Sequence, residues 1–168
     1  ELAFVHDVLA HPLDGVDRRY RRLGLTTYMG TKIKRQLVRQ GVLVQARVYV
    51  NRSVRVALRI SATGRAQLGM PSTQPTIEGL AHEYLKHHMA ARFRADGWNA
   101  RVEAPRPNAS GYVDVFAERG NKKIAIEIEA GTSNTVRNVL ENLKSGCDHI
   151  QVVAVSPSKA IAIERTLA

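Results

Sequence analysis

Apolar positions recur at helical spacing from Leu2 to His11, with Phe4 and Val8 on one side and Pro12 as the stop. That spacing predicts a first short helix. Asp14 stands where an N-cap would for a second helix through Val16, Tyr20 and Leu23, closed by Gly24. Arg18, Arg19, Arg21 and Arg22 then fall on its outer faces. Thr26 or Thr27 caps a third helix that ends at Gly41, with Met29, Ile33, Leu37 and Val38 as its buried side and Lys32, Lys34, Arg35 and Arg39 exposed. Past Gly41 the period changes from helical to extended. Val42 to Val50 and Val54 to Ile60 are β-branched runs separated by Asn51-Arg52-Ser53, which predicts a hairpin with a basic tip. Thr63 to Gly69 supplies a short closing turn or helix.

Two prolines in Pro71-Ser72-Thr73-Gln74-Pro75 forbid a helix through that stretch, so residues 71–75 read as a linker. Thr76 caps a helix of about five turns that ends at Gly97, with Leu80, Tyr84, Leu85, His88 and Phe93 on its apolar side. Trp98 to Val102 is a strand, with Glu103 at its end facing solvent or a site. The loop from Pro105 to Gly111 leads to a second strand, Tyr112 to Ala117, which carries one acid, Asp114, among apolar residues. A Gly120-Asn121 turn joins it to a third, Ile124-Ala125-Ile126-Glu127-Ile128-Glu129. Gly131-Thr132-Ser133 turns the chain into a helix through Val136, Val139, Leu140 and Leu143, ended by Gly146. Ile150 to Val155 reads as a buried strand beside a parallel neighbour, and Pro157 to Leu167 as a helix covering the sheet. The expected fold class is α+β in two domains, 1–70 and 76–168, the second with the order αβββαβα and a mixed sheet.

Charge changes this picture. The chain of 168 residues carries +10, but residues 1–70 hold 13 Lys and Arg against 4 Asp and Glu, giving +9, while residues 71–168 hold 12 against 11, giving +1. A field of that strength on one half attracts polyanions, nucleic acid above all. No run is long enough to span a bilayer and no signal-peptide pattern is present, so no membrane partner is expected. A lone cysteine, Cys147, cannot form an internal disulfide and points to a reducing, cytoplasmic setting. The start at Glu1 rather than Met reads as a piece of a longer chain or larger assembly. There is no Gly-x-Gly-x-x-Gly, no Walker motif and no Gly-x-Ser-x-Gly elbow, which disfavours nucleotide hydrolysis and acyl transfer.

Period-2 alternation points Glu127 and Glu129 the same way, about 7 Å apart along one strand face. The Gly120-Asn121 hairpin can bring Asp114 beside Glu127. Three carboxylates at a sheet edge suit a hard divalent cation that keeps waters for a phosphate substrate. The plainer alternative is salt bridging to Lys122, Lys123 or Arg137, or exposure to solvent. Glu83 stands one turn before His87, with which it can pair. His82, His87 and His88 read as solvated or packed rather than as ligands.

Asp114 followed by Glu127-Ile128-Glu129 resembles the core of the PD-(D/E)XK nuclease superfamily, which includes restriction endonucleases and archaeal Holliday-junction resolvases. The resemblance covers residues 76–168, and Glu129 stands where the family pattern ends in Lys. It implies Mg²⁺ or Mn²⁺ held by Asp114 and Glu127, with Glu129 binding a second ion or orienting the attacking water and Glu83 contributing from the first helix. Residues 2–69 resemble a winged helix-turn-helix. That likeness implies a third helix in the major groove, Lys32, Lys34, Arg35 and Arg39 on DNA together with Arg18 and Arg22, and Arg47, Arg52 and Arg55 of the wing on phosphates. The expected function is a metal-dependent endonuclease acting on duplex or branched DNA, with room for a homodimer. The rival expectation, favoured by Glu at the usual Lys position, is a catalytically silent nuclease fold serving as a DNA-binding or assembly module of a larger mobile-element or DNA-transfer machine.

Overall fold

The structure is a computed structural model that describes residues 1–50, 53–71, 77–130 and 134–167. The expected contact Arg52, linker residues 72–75, the cap Thr76 and the turn Gly131-Thr132-Ser133 lie outside the described residues. Contacts divide the chain into two compact units, Glu1–Ala81 and His82–Ala168.

The first unit runs α1 (Leu2–Ala10), α2 (Val16–Arg22), α3 (Thr27–Arg39), β1 (Leu43–Val50), β2 (Ser53–Ile60) and α4 (Ala62–Gln67). β1 and β2 form an antiparallel two-stranded sheet from Leu43↔Ile60 to Val50↔Ser53. Phe4, Val5, Val8, Tyr20, Leu37, Leu43, Leu58 and Ile60 make one core. The expected cap of α3 is Thr26, whose hydroxyl accepts from the Met29 N–H at 3.2 Å.

Three local expectations differ. Gly15, not Asp14, occupies the N-cap of α2, because the Asp14 carboxylate is bound by Arg22 at 2.8 Å. Arg19 is fully buried rather than outward. Its guanidinium donates to the Asp7 carboxylate at 2.8 Å, to the Asp7 carbonyl at 2.8 Å and to the His11 carbonyl, clamping α1 to α2. Met29 of α3 is exposed, and Gly30 takes the inward place: a Cβ there would stand 2.4 Å from the Tyr20 ring, so only glycine permits that approach.

α5 (Ile77–Ala95) spans the division between the units, and the second unit continues with β3 (Asn99–Pro105), β4 (Tyr112–Arg119), β5 (Lys122–Glu129), α6 (Thr135–Lys144), β6 (His149–Ala154) and α7 (Pro157–Leu167). The sheet order is β3-β4-β5-β6, with the first three antiparallel and β6 parallel to β5. The chain is therefore α+β with a mixed four-stranded sheet and a two-stranded sheet. The β4–β5 turn pairs Arg119 with Lys122 and takes its positive φ, 58°, at Gly120. A parallel pair needs a crossover, which α6 provides.

α6 differs most from expectation. Val136, Leu140 and Leu143 are exposed, whereas Asn142 and Ser145 are fully buried. The helix turns a polar stripe to the sheet and an apolar one outward. β6 is the outermost strand with one neighbour, so its side chains are half-buried rather than buried.

Candidate functional site

The β4–β5 ladder runs from Arg119↔Lys122 to Val115↔Ile126 and stops there. Asp114 and Glu127 are the next residues on the two strands, so they stand across the open end of the hairpin. The Ile128 N–H donates to Asp114 Oδ2 at 2.8 Å, a side chain taking the place of a main-chain partner. The same oxygen lies 3.2 Å from His82 Nε2 of α5. That hydrogen bond raises the His82 pKa against the opposing effect of burial.

Glu127 is buried at 5 % exposure, and its Oε1 accepts from Asn142 Nδ2 at 2.6 Å. Burial pushes its carboxyl up to about 7; the Asn142 hydrogen bond opposes that, the charges of Asp114 and Glu129 add to it, and Arg106 opposes it. Asn142 is fixed in turn by Arg106, whose Nε donates to Asn142 Oδ1 at 2.9 Å and whose Nη1 meets Glu141 Oε2 at 2.7 Å. With its oxygen committed to a guanidinium, the Asn142 amide must present its NH₂ to Glu127. Arg137 also holds Glu141, at 2.6 Å. For Glu127 the plainer alternative, a salt bridge to Arg137, gives way to this relay from α6, since Arg137 is taken by Glu141.

Glu129, 2 % exposed, follows Glu127 on the same side of β5 and lines a cleft of about 240 Å³ with Asn134, Thr135, Lys159 and Thr166 of α6, its cap and α7. Glu83 pairs with Lys86 at 2.5 Å, not with His87. Lys86, 2 % exposed, also reaches Glu103 at 2.6 Å. Burial pulls the Lys86 ammonium down, but Glu103 and Glu83 overcome it and the net shift is upward. Among the described residues no three His, Cys, Asp or Glu side chains gather into a metal-holding group. Of the expected set of Asp114, Glu127, Glu129 and Glu83, the structure leaves Asp114 and Glu127 facing each other, Glu129 two residues on along β5 in a cleft against α6 and α7, and Glu83 committed to Lys86. Mg²⁺ needs only one or two carboxylates beside waters and phosphate oxygens. On donor chemistry the Asp114–Glu127 pair fits that demand, since a cation would offset the burial that holds Glu127 near 7.

Lys86, Arg106 and Asn142 escaped the sequence reading, and His82, expected to be solvated or merely packed, meets Asp114 instead. A signal existed for Asn142: Thr135, Asn138, Asn142 and Ser145 recur at helical spacing and form the inward stripe of α6.

A second constellation lies on α3. Tyr28, Thr31, Lys32, Arg35, Gln36 and Arg39 line a hollow of about 650 Å³ along one side of the helix. Lys34 is half-buried, its pKa lowered by burial and by Arg35. Arg47 pairs in register with Val56 and Arg55 with Val48, so the two exposed arginines emerge on opposite faces of the hairpin. Arg18 is exposed, whereas Arg22 is held by Asp7 at 2.5 Å and Asp14 at 2.8 Å. The hydrogen bonds to those carboxylates raise its pKa, and its charge is already matched.

No protein-family model matches the chain, and no curated protein matches it. Among solved structures it is similar to the crystal structure of a protein of unknown function, AF1548, at 17% identity and a TM-score of 0.36, over 49% of this chain and 54% of that one. The chain spans about half the length of that protein. A likeness at this level carries no argument. No described helix is long and apolar enough to cross a membrane.

Proposed function

We propose that the chain is a metal-dependent DNA endonuclease: α3 binds duplex DNA, and the carboxylates at the open end of the β4–β5 hairpin hydrolyse phosphodiester bonds. The observation that carries this reading is the meeting of Asp114 with a buried Glu127 pushed up to about 7 where the ladder stops. The order α5-β3-β4-β5-α6-β6-α7 supports it, since a PD-(D/E)XK core has that order and carries its acids on the corresponding strands. In the first unit, three helices followed by a two-stranded sheet support a winged helix-turn-helix, with Lys32, Arg35 and Arg39 on the DNA side of α3.

Asp114 and Glu127 would hold Mg²⁺ or Mn²⁺. The ion, when bound, polarises the scissile phosphate and lowers the pKa of bound water. The chain's own residues set the geometry. His82 and the Ile128 N–H fix Asp114. Asn142, locked by Arg106, orients Glu127. Glu127 must shed its proton to hold a cation, so activity rises with pH through about 7. A buried, unpaired Cys147 suits a reducing, cytoplasmic compartment.

The second reading, a silent DNA-binding or assembly module, is favoured by the placement of the other acids. Glu83 is taken by Lys86, and Glu129 lines a cleft against α6 and α7. Plasmid nicking with Mg²⁺, Mn²⁺ or EDTA separates the two. Metal-dependent nicking by the wild type that Glu127→Gln abolishes supports the nuclease; duplex binding without nicking under any divalent ion supports the silent module.

A further inference from the structure

Lys86 of α5 is buried, yet the two carboxylates that hold it are not. Its ammonium meets Glu83 at 2.5 Å and Glu103 at 2.6 Å, and those side chains are 42% and 66% exposed. Taking an ammonium out of water carries a desolvation cost that pairing with surface carboxylates repays poorly, and an apolar side chain of similar length would fill the place more cheaply. A salt bridge alone does not explain a lysine here. Two of the three N–H donors of the ammonium serve these pairs, which leaves one over among the described residues. The Lys86 pKa is raised, so the group stays an ammonium and is a donor rather than a base.

Its neighbours place it beside the hairpin acids. Lys86 follows His82 by four residues on α5, so the two share one face of the helix, and His82 Nε2 stands 3.2 Å from Asp114 Oδ2. From the sheet side, the pairs Val102↔Val115 and Ala104↔Val113 flank Glu103 and Asp114, which makes those two opposite neighbours on β3 and β4. Asp114 in turn stands opposite Glu127, so Glu103, Asp114 and Glu127 form one row across three strands. Glu103 holds its place with φ 49°, left-handed backbone that a strand residue adopts only under strain. Lys86 keeps the Glu103 carboxyl below its usual range, and burial and the charge of Asp114 oppose it.

We infer that Lys86 is a further catalytic residue of the nuclease proposed above, its spare N–H donating to a non-bridging oxygen of the scissile phosphodiester at Asp114 and Glu127. The inference rests on that reading. As water attacks, negative charge builds on the phosphate oxygens, and an ammonium already fixed out of water meets that charge without reorganising solvent. The pairs with Glu83 and Glu103 hold the group in position, and they neutralise two carboxylates that would otherwise repel the phosphate.

The test is cleavage of a short DNA duplex by the whole chain with Mg²⁺, read as kcat and KM, beside duplex affinity and a urea melt. Lys86→Met should lower kcat by about 100-fold or more, the size of one lost donor to developing charge, with KM and duplex affinity nearly unchanged. Its melting midpoint should equal or exceed that of the wild type, because the buried charge is gone and both carboxylates face water. Lys86→Arg, which keeps the charge, should recover part of the loss. Glu103→Gln separates catalysis from a clamp between α5 and β3: it breaks the pair but keeps the ammonium, so kcat stays at or above the wild-type value. Undiminished cleavage by Lys86→Met, equal losses in Lys86→Met and Glu103→Gln, or a Lys86→Met midpoint well below wild type would each overturn the inference while the nuclease reading stands. A wild type that cleaves no DNA with Mg²⁺ or Mn²⁺ sinks that reading and this inference with it.

Discussion

Between its ordinary value of 4.5 and the value of about 7 that burial imposes, the Glu127 carboxyl keeps a proton in the folded chain that the unfolded chain has released. The folded state then binds more protons than the unfolded one, so stability falls as pH rises through that window and is flat above it. The shift corresponds to roughly 3 kcal/mol. Glu127→Gln keeps the oxygen that accepts from Asn142 and removes the charge. In EDTA at pH 8, urea melts should find it more stable than the wild type by up to about 3 kcal/mol, with the gap closing below pH ~5. Added Mg²⁺ should raise the wild-type midpoint and leave the Gln variant's unmoved, because only the ionised pair gains by binding a cation. A Gln variant less stable than wild type at pH 8 would mean that this carboxylate is paired rather than penalised. The acids at 114 and 127 are legible in the sequence, since alternation along a strand fixes which residues share a face. Their partners are not, because His82, Arg106 and Asn142 reach them only through packing between elements distant in sequence.

At the scale of elements, starts and stops follow local chemistry and were readable: Thr26 caps α3, and Gly120 makes the β4–β5 turn. Which side of a helix is buried depends on neighbours, and there the pattern misled. Met29 yields its place to Gly30 because the Tyr20 ring occupies the space, and α6 faces inward with Asn142 because a buried carboxylate needs a donor. Gly30→Ala should therefore destabilise the first unit by about 1–3 kcal/mol despite alanine's better helix propensity, by overpacking against that ring. The α1–α2 clamp sets a larger figure. Arg19→Ala takes the buried donor from the Asp7 and His11 carbonyls while Arg22 still holds the Asp7 carboxylate, and two buried acceptors left unsatisfied at about 1–3 kcal/mol each should cost about 3–5 kcal/mol in a denaturant melt. The outward stripe of α3 is a separate matter. Lys32, Arg35 and Arg39 are exposed, whereas Lys34 is half-buried, so the triple Ala variant at 32, 35 and 39 should flatten the salt dependence of duplex binding by up to about three. Lys34→Ala should change that slope little; an unchanged slope in the triple variant would assign α3 to a protein partner.

For the whole molecule, the distribution of charge divides the labour. Residues 1–70 carry +9 and residues 71–168 only +1, so nearly all long-range attraction for a polyanion arises from the first stretch, while Asp114 and Glu127 lie in the second. Affinity for duplex DNA is dominated by phosphate neutralisation and scales with the cations engaged, not with carboxylates elsewhere. Asp114→Ala and Glu127→Ala should thus abolish nicking yet leave duplex affinity at physiological salt within about tenfold, and binding tightens if the lost carboxylate faced a phosphate. The α3 triple variant should show the reverse: weak binding at that salt, with nicking recovered when ionic strength is lowered, because screening rather than chemistry limits it. Measuring both quantities for both sets of variants on one plasmid decides the matter. If the carboxylate variants lose binding together with cleavage, the two functions share a surface, and the assignment of recognition to α3 fails with them.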